Sequence, residues 1–339
     1  MNETLTVFMI SEIERFREEG REPARRIYHN MLRTLRESAG KEEIGFEEVT
    51  PVFLGKYEHW LLGKRLSWNT VSTYMRALRA GYNRGMKGRP GYVTGLFDKV
   101  YTGTRSDVKR AVDARTVGRM IRMSGCPDES ASAKAVDWFV LMFMLRGIPF
   151  VDLAHLRRSN LDKGELTYCR HKTGQEVSIS VPREAMEIIN RRMVENCHPS
   201  YLLPILGQPR TRKRHTKKAL TPYQEYQYAL PILGQPRTGK RRQEKVLTPY
   251  QEYQCELRNL NRRLERVSVD LRLGGRLSSY TARHTWATIA FHQETPVGVI
   301  SRGLGHSSVK VTETYLKPFG DKEVDRTNRK ILNYVLSAV

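Results

Sequence analysis

The sequence predicts a mainly α-helical protein with a small β-hairpin, an α+β chain organised as two domains. Three observations carry that expectation. Apolar residues recur on single faces at helical spacing through the first hundred residues, the apolar run Ala135 to Leu145 reads as a buried helix, and two short alternating segments flank the turn His171-Lys-Thr-Gly174. At 339 residues the chain is long enough for two cores of ordinary size.

The elements follow in order. Pro23 to Ser38 carries Ile27, Met31 and Leu35 on one face. Thr50-Pro51 supplies an N-cap and a first helical position for a helix running through Leu61. Ser67 to Met86 places Val71, Tyr74, Leu78 and Tyr82 on one stripe and Arg76, Arg79 and Arg84 on other faces. Residues 1–98 thus read as a small helical domain with basic outer faces. The polar stretch 99–112, with Lys109 and Arg110, reads as a linker. A second domain, 113–339, opens with helices, passes through the buried run and the strands Glu165 to Tyr168 and Glu176 to Val181, and turns helical again from Tyr280. An amphipathic tail over about 323–338 closes it, with Val324, Ile331, Leu332, Tyr334, Val335 and Leu336.

One segment breaks this pattern. Leu203 to Gln227 recurs at Leu230 to Gln254 with a period of about 27 residues and about 20 of 25 positions identical. Two copies do not stack into a solenoid, so the near-identity reads as a tandem duplication rather than an architecture. Both copies are basic, including Arg212-Lys-Arg214 and Lys240-Arg-Arg242. The segment at about 203–254 is read either as an extra arm for a polyanion or as a tolerated surface insertion, since surface loops accept length at low thermodynamic cost.

Charge narrows the partners. Fifty-eight Lys and Arg against 36 Asp and Glu leave a formal +22, which attracts polyphosphate through counterion release. Double-stranded DNA is the expected partner, with Arg76, Arg79, Arg84, Lys109, Arg110, Arg157 and Arg158 as backbone contacts. No apolar run approaches the ~20 residues of a spanning helix, and the N-terminus lacks a signal-peptide pattern, so no membrane and a cytoplasmic location are expected. The four cysteines (Cys126, Cys169, Cys197, Cys255) form no Cys-x-x-Cys pair, so neither a zinc site nor a disulfide framework is expected. No metal and no cofactor are expected.

The chemistry-bearing residues lie mostly near the C-terminus. Tyr280-Thr-Ala-Arg283-His284-Thr-Trp is followed by Leu304-Gly-His306 and, nine residues on, by Tyr315. Arginine and histidine donors suit the non-bridging oxygens of one phosphate, and a tyrosine suits in-line attack on it. Arg146 follows the apolar helix and leads into Gly147-Ile-Pro-Phe-Val-Asp152, where a buried guanidinium demands partners. Lys172 sits at the hairpin tip, able to reach across a groove. Taken singly, Arg283 and His284 read as the start of an amphipathic helix, His306 as the start of another with Ser307 or Ser308 as cap, and Tyr315 as a core aromatic.

Taken together, Arg146, Lys172, Tyr280-x-x-Arg283-His284, Leu-Gly-His306 and Tyr315 resemble the tyrosine recombinase family, also called phage integrases. The resemblance extends over most of the chain. Trp68-Asn-Thr-Val-Ser-Thr-Tyr-Met-Arg-Ala-Leu-Arg79 is similar to the family's helical, SAM-like core-binding domain, and the remainder is similar to its catalytic domain. The wording around Arg146 and Arg283 resembles members from Bacteroides-type bacteria. The resemblance implies that Arg146 and Arg283 clamp the scissile phosphate, that Lys172 protonates the departing 5′-oxygen, that His306 hydrogen-bonds the phosphate, and that Tyr315 forms a 3′-phosphotyrosyl bond.

The sequence departs from the family twice. Tyr280 stands where the family usually has a histidine, with His284 as a compensating candidate, and Asp152 lies six residues after Arg146 where many members place an acid three after. The resemblance further implies a homo-tetramer on DNA, with the C-terminal tail packing in trans and an accessory DNA-bending protein as a further partner. The short stretch before the core-binding domain reads as the absence of an arm-binding domain, which favours inversion or resolution over integration with accessory sites. Two other readings stand beside this one: a type IB topoisomerase-like nicking and rejoining enzyme, and a catalytically lapsed DNA-binding regulator.

Overall fold

Thr4, Thr50 and Ser67 each accept a hydrogen bond from the backbone N–H three residues on, at 3.3, 3.2 and 3.2 Å, and each opens a helix. In this computed structural model, which describes residues 3–103, 111–124, 130–207, 247–306, 308–313 and 328–329, the chain divides into two units, Met1–Val108 and Lys109–Val339. The first holds α1 (Leu5–Glu18), α2 (Glu22–Ala39), α3 (Pro51–Gly63) and α4 (Trp68–Gly85). The last three follow the periodic stripes and the Thr50-Pro51 start read from sequence. Leu5, Met9, Met31, Leu35, Leu54, Leu61, Met75 and Leu78 fill the space between them. The buried Tyr57 phenol lies 2.7 Å from Thr34 Oγ1 and donates to Met31 O at 3.2 Å, so the polar atom inside this core is satisfied.

The basic residues of α4 differ in their contacts. Arg76 and Arg79 are exposed on α4. The Arg84 guanidinium instead pairs with Glu12, a carboxylate almost wholly buried, and donates to the Tyr28 hydroxyl at 2.8 Å. Arg84 thus ties α1, α2 and α4 together while its side chain stays exposed.

The second unit is laid around α6 (Ala131–Met144), which is buried on nearly every side from Ala135 to Met142. An all-apolar helix must be enclosed, and α5 (Ala114–Ser124), α8 (Arg183–Val194), α9 (Pro249–Asp270) and α10 (Ser279–His292) pack against it. Its one acid, Asp137, is buried and accepts from Arg192 Nε at 2.6 Å, Arg191 Nη2 at 3.1 Å and Ser124 Oγ at 2.6 Å. Between α7 (Phe150–His155) and α8 runs an antiparallel sheet of β1 (Leu161–Asp162), β2 (Glu165–Cys169) and β3 (Glu176–Ser180) in the order β1-β2-β3. The hairpin is the one expected, with Leu166 opposite Ile179 and Tyr168 opposite Val177 on the buried face. The strand β1 is an addition. Two short helices, α11 (Val297–Leu304) and α12 (Val309–Glu313), follow α10. Among the described residues no helix is long and apolar enough to cross a membrane.

Two helix starts differ from the sequence reading. The α10 helix opens at Ser279 from a Ser278 cap, which places Arg283 and His284 in its second turn. His306 follows the end of α11, and the helix expected there opens at Val309, directly after the cap candidate Ser308. The linker residues Lys109 and Arg110, the nucleophile candidate Tyr315 and nearly all of the tail at 323–338 lie outside the described residues.

The duplicated segment is also corrected at both ends. Leu203, Ile205 and Leu206 of the first copy are buried in the core of the second unit. Thr248 of the second copy caps α9 in a capping box with Gln251, and Tyr253 packs against Phe150 and His155. The two copies meet where Gly207 N donates to Glu252 Oε1 at 2.8 Å. The fold therefore uses the head of one copy and the foot of the other, with the ends of the intervening chain held together. Deleting residues 208–234 joins Gly207 to Gln235 and preserves both structural ends. Because loop length enters closure entropy only logarithmically, thermal or urea unfolding of this deletion should show stability equal to the parent or higher by about 1 kcal/mol.

Candidate active site

The site forms where three chain reversals meet. After α6 the backbone turns left-handed at two successive residues, Arg146 at φ 56° and Gly147 at φ 68°. The second of these needs glycine on a further count: a Cβ there would lie 3.1 Å from the Arg283 Cα and 3.3 Å from a Leu304 methyl. Gly147 thus lets the α6–α7 turn press directly against α10.

The second reversal ends α11. His306 N donates to Ser301 O at 3.0 Å and Gly305 N to Arg302 O at 2.9 Å, with Gly305 at φ 63°, the Schellman arrangement. This geometry is the physical content of the Leu-Gly-His motif. It stops the helix so that the Leu304 and Gly305 carbonyls are presented sideways to other side chains, and it carries His306 away from the helix axis.

Arg283 bridges the first two reversals. Its side chain is buried, and it donates to Gly147 O at 2.7 Å through Nη1 and to Leu304 O at 2.6 Å through Nη2. The same Nη2 lies 2.9 Å from His306 Nε2. A guanidinium only donates, so Nε2 must accept, and the imidazole proton therefore sits on Nδ1. That proton is donated to Thr312 Oγ1 at 2.8 Å. Burial, and then the positive charges of Arg283, Arg170 and Lys172, push the His306 pKa down to about 4. At neutral pH the ring is an uncharged, oriented group beside a charged guanidinium.

The hairpin turn is the third reversal. Lys172 is exposed at its tip, and its charge reaches His306. Arg146 is half-buried and reaches β3, donating from Nη1 to Ser178 O at 3.3 Å. Under both lies Tyr168, buried, its hydroxyl pKa raised by burial and then by Asp152. Arg170, Arg283 and Arg146 act on the same hydroxyl in the opposite direction, so all three guanidinium groups converge on one region. Tyr280 and His284 share the outer face of α10, with rings in edge contact at 4.8 Å. Arg157 and Arg158 are exposed before β1, where Arg158 Nε donates to Tyr201 O at 3.4 Å.

Two contributors were absent from the sequence reading in these roles. Arg170 is buried and donates from Nη1 to Leu304 O at 2.7 Å and to Gly305 O at 2.6 Å. Asp152, read earlier only as a displaced acid, is buried with Oδ2 at 3.5 Å from Arg170 Nε, and its Oδ1 accepts from His171 N at 2.9 Å. A readable signal existed for Arg170. It continues the alternation of Leu166 and Tyr168, so the strand period already assigned it to the buried face.

Comparisons with known proteins agree with this architecture. Residues 4–90 match the phage integrase SAM-like domain family. The fold is similar to that of the Tn1549 transposon integrase in complex with a circular intermediate DNA, at a TM-score of 0.58 and 14% identity over 96% of this chain and 99% of that one. It is similar to a lambda integrase dimer bound to a COC' core site, at a TM-score of 0.57 and 10% identity over 91% and 75%. The XerH site-specific recombinase bound to difH gives a TM-score of 0.50 and 13% identity over 82% and 70%. No curated sequence matches the chain.

The tautomer assignment is directly measurable. In long-range ¹H–¹⁵N spectra at pH 7, His306 should show the neutral pattern with the proton on Nδ1 and should titrate only near pH 4. Because its folded pKa lies below the unfolded value of about 6.5, the stability it contributes is complete above that pH and is lost as pH falls toward 4. Replacing Arg283 with Met should move the His306 titration upward, since one of the charges that depress it is gone.

Proposed function

We propose, from the tyrosine-recombinase fold and the phage integrase SAM-like domain at residues 4–90, that this chain is a site-specific DNA recombinase that cleaves and rejoins strands through Tyr315. The observation that carries this reading is the arrangement of Arg283 and His306. A buried guanidinium is held by two backbone carbonyls and a neutral imidazole, all of them uncharged acceptors. These three acceptors fix the direction of the guanidinium, a pre-oriented donor of the kind that stabilises a phosphate.

In this reading Arg283 and Arg146 bind the non-bridging oxygens of one phosphodiester and stabilise the charge that builds in the transition state. His306 is neutral and pre-oriented by Thr312, and it becomes a donor to the phosphate when the anion promotes protonation of Nε2 and that N–H turns from Arg283 to a phosphate oxygen. The Tyr315 oxygen attacks phosphorus as the bond to the 5′-oxygen breaks, and Lys172 delivers a proton to that oxygen. The phenol proton passes to solvent water and Lys172 regains its own from solvent, so the step conserves protons. The 3′-phosphotyrosyl link retains the energy of the phosphodiester, and a 5′-hydroxyl from a second strand reverses it without ATP. Arg76, Arg79, Arg84, Arg157 and Arg158, exposed in the structure, serve as contacts to the DNA backbone, and Lys109 and Arg110 take the same role. Four protomers act on paired sites, with the C-terminal tail exchanged between neighbours.

The test is covalent trapping on nicked duplexes made from the DNA that flanks the gene. Wild-type protein should form an adduct resistant to denaturation, and Tyr315→Phe should form none. Lys172→Met should slow adduct formation by about 10²- to 10⁴-fold, the range of a lost general acid. Duplexes carrying two sites should yield strand-exchanged products. Adducts without exchange would favour a nicking and rejoining enzyme, and binding with no adduct would favour a DNA-binding regulator.

A further inference from the structure

Arg170 lies outside the set of groups that touch phosphate in the reading above, yet it joins the hairpin to the turn that carries His306. Its backbone closes the hairpin turn: Arg170 N donates to Gln175 O at 2.8 Å, and Gly174 N donates to Arg170 O at 2.8 Å. Its side chain then leaves the hairpin and seats Nη1 on Leu304 O and Gly305 O. The fit at the far end is close, because a Cβ on Gly305 would come within 2.8 Å of the Arg170 Cδ. Asp152 completes the clasp from α7. One carboxylate oxygen receives the His171 backbone N–H, and the other faces the Arg170 guanidinium.

Lys172 stands at the middle of this turn, one residue beyond the amide that Asp152 holds. A lysine has a flexible four-carbon stem and a mobile ammonium, so its time near any one atom depends on where its backbone is fixed. The backbone here is fixed by Arg170 and Asp152. We propose that Arg170, braced by Asp152, is a positioning residue for Lys172, clasping the hairpin turn to the end of α11 so that the ammonium is held over the leaving 5′-oxygen. This rests on the recombinase reading and adds to it a dependence of the proton-transfer step on a residue that never meets the DNA.

The proposal separates proton delivery from folding and from phosphate binding, and a change of leaving group isolates it. With an ordinary duplex, the bond from phosphorus to the 5′-oxygen breaks as Lys172 supplies the proton. With a 5′-bridging phosphorothiolate, the phosphorus–sulfur bond breaks, both electrons go to sulfur, and the thiolate departs without a proton. The experiment measures adduct formation by wild type, Lys172→Met, Arg170→Lys and Asp152→Asn on both substrates, using the site found by trapping. Asp152→Asn is isosteric and keeps an oxygen for His171 N, so it carries the test if Arg170→Lys folds poorly.

On the oxygen substrate, Arg170→Lys and Asp152→Asn should be slowed by about 10²-fold, and on the sulfur substrate all three variants should return to within about threefold of wild type. Variants equally slow on both substrates would overturn the proposal, since Arg170 would then be supporting the fold or the phosphate site. Wild-type rates on the oxygen substrate would overturn it as well. A wild-type protein that forms no adduct on either substrate would overturn the recombinase reading itself, and the proposal with it.

Discussion

Arg283 must be satisfied where it is buried, and the way it is satisfied organises the second unit. A guanidinium carries five donors, and leaving them unmet inside a protein costs several kcal/mol. Gly147 O, Leu304 O and His306 Nε2 take three of them, the first from the turn after α6 and the other two from the end of α11. Removing the arginine would leave two carbonyls and an imidazole without the donor that aligns them. Gly147 follows from the same requirement, because a Cβ there would press on the Arg283 backbone, and Gly305 leaves room for the Arg170 side chain.

The two buried charge clusters of this domain differ in a way that separates architecture from chemistry. Asp137 is matched by Arg191, Arg192 and Ser124, and Arg192 also reaches Glu195. Those charges cancel, and the cluster ties α5, α6 and α8 together. The second cluster gathers Arg170 and Arg283 on the one carbonyl of Leu304, with Asp152 beside Arg170. Two arginines held close by a backbone oxygen repel each other unless an anion joins them, and the end of a helix supplies only a partial negative charge. The depressed pKa of His306 is the same field read by a neighbouring ring.

Most of the secondary structure was legible because it is written in local patterns. Thr50-Pro51 and Ser67 announced α3 and α4, and the alternation around His171-Lys-Thr-Gly174 announced the hairpin. The errors fall where a residue's role depends on what lies far along the chain. Arg84 is the exposed cation its spacing suggests, yet Glu12 and Tyr28 also meet it across the helical bundle, which no local pattern announces. His306 beside two serines resembles a helix start; the left-handed Gly305 instead makes it the residue that follows a helix end. The repeat at 203–254 looked detachable as a whole, yet Leu206 and Thr248 from different copies serve the fold.

The sequence alone determined the helical class, the hairpin, the basic character and the ordered set of arginine, lysine, histidine and tyrosine, because each is a local or compositional property. Tertiary structure alone decided that Arg283 and His306 touch, that His306 is neutral with its proton on Nδ1, and that Arg170 and Asp152 join the hairpin to the end of α11. The reason is physical. A periodic pattern states which face of an element is buried. Which carbonyl a buried guanidinium finds depends on chain reversals more than a hundred residues apart, brought together only when the domain closes.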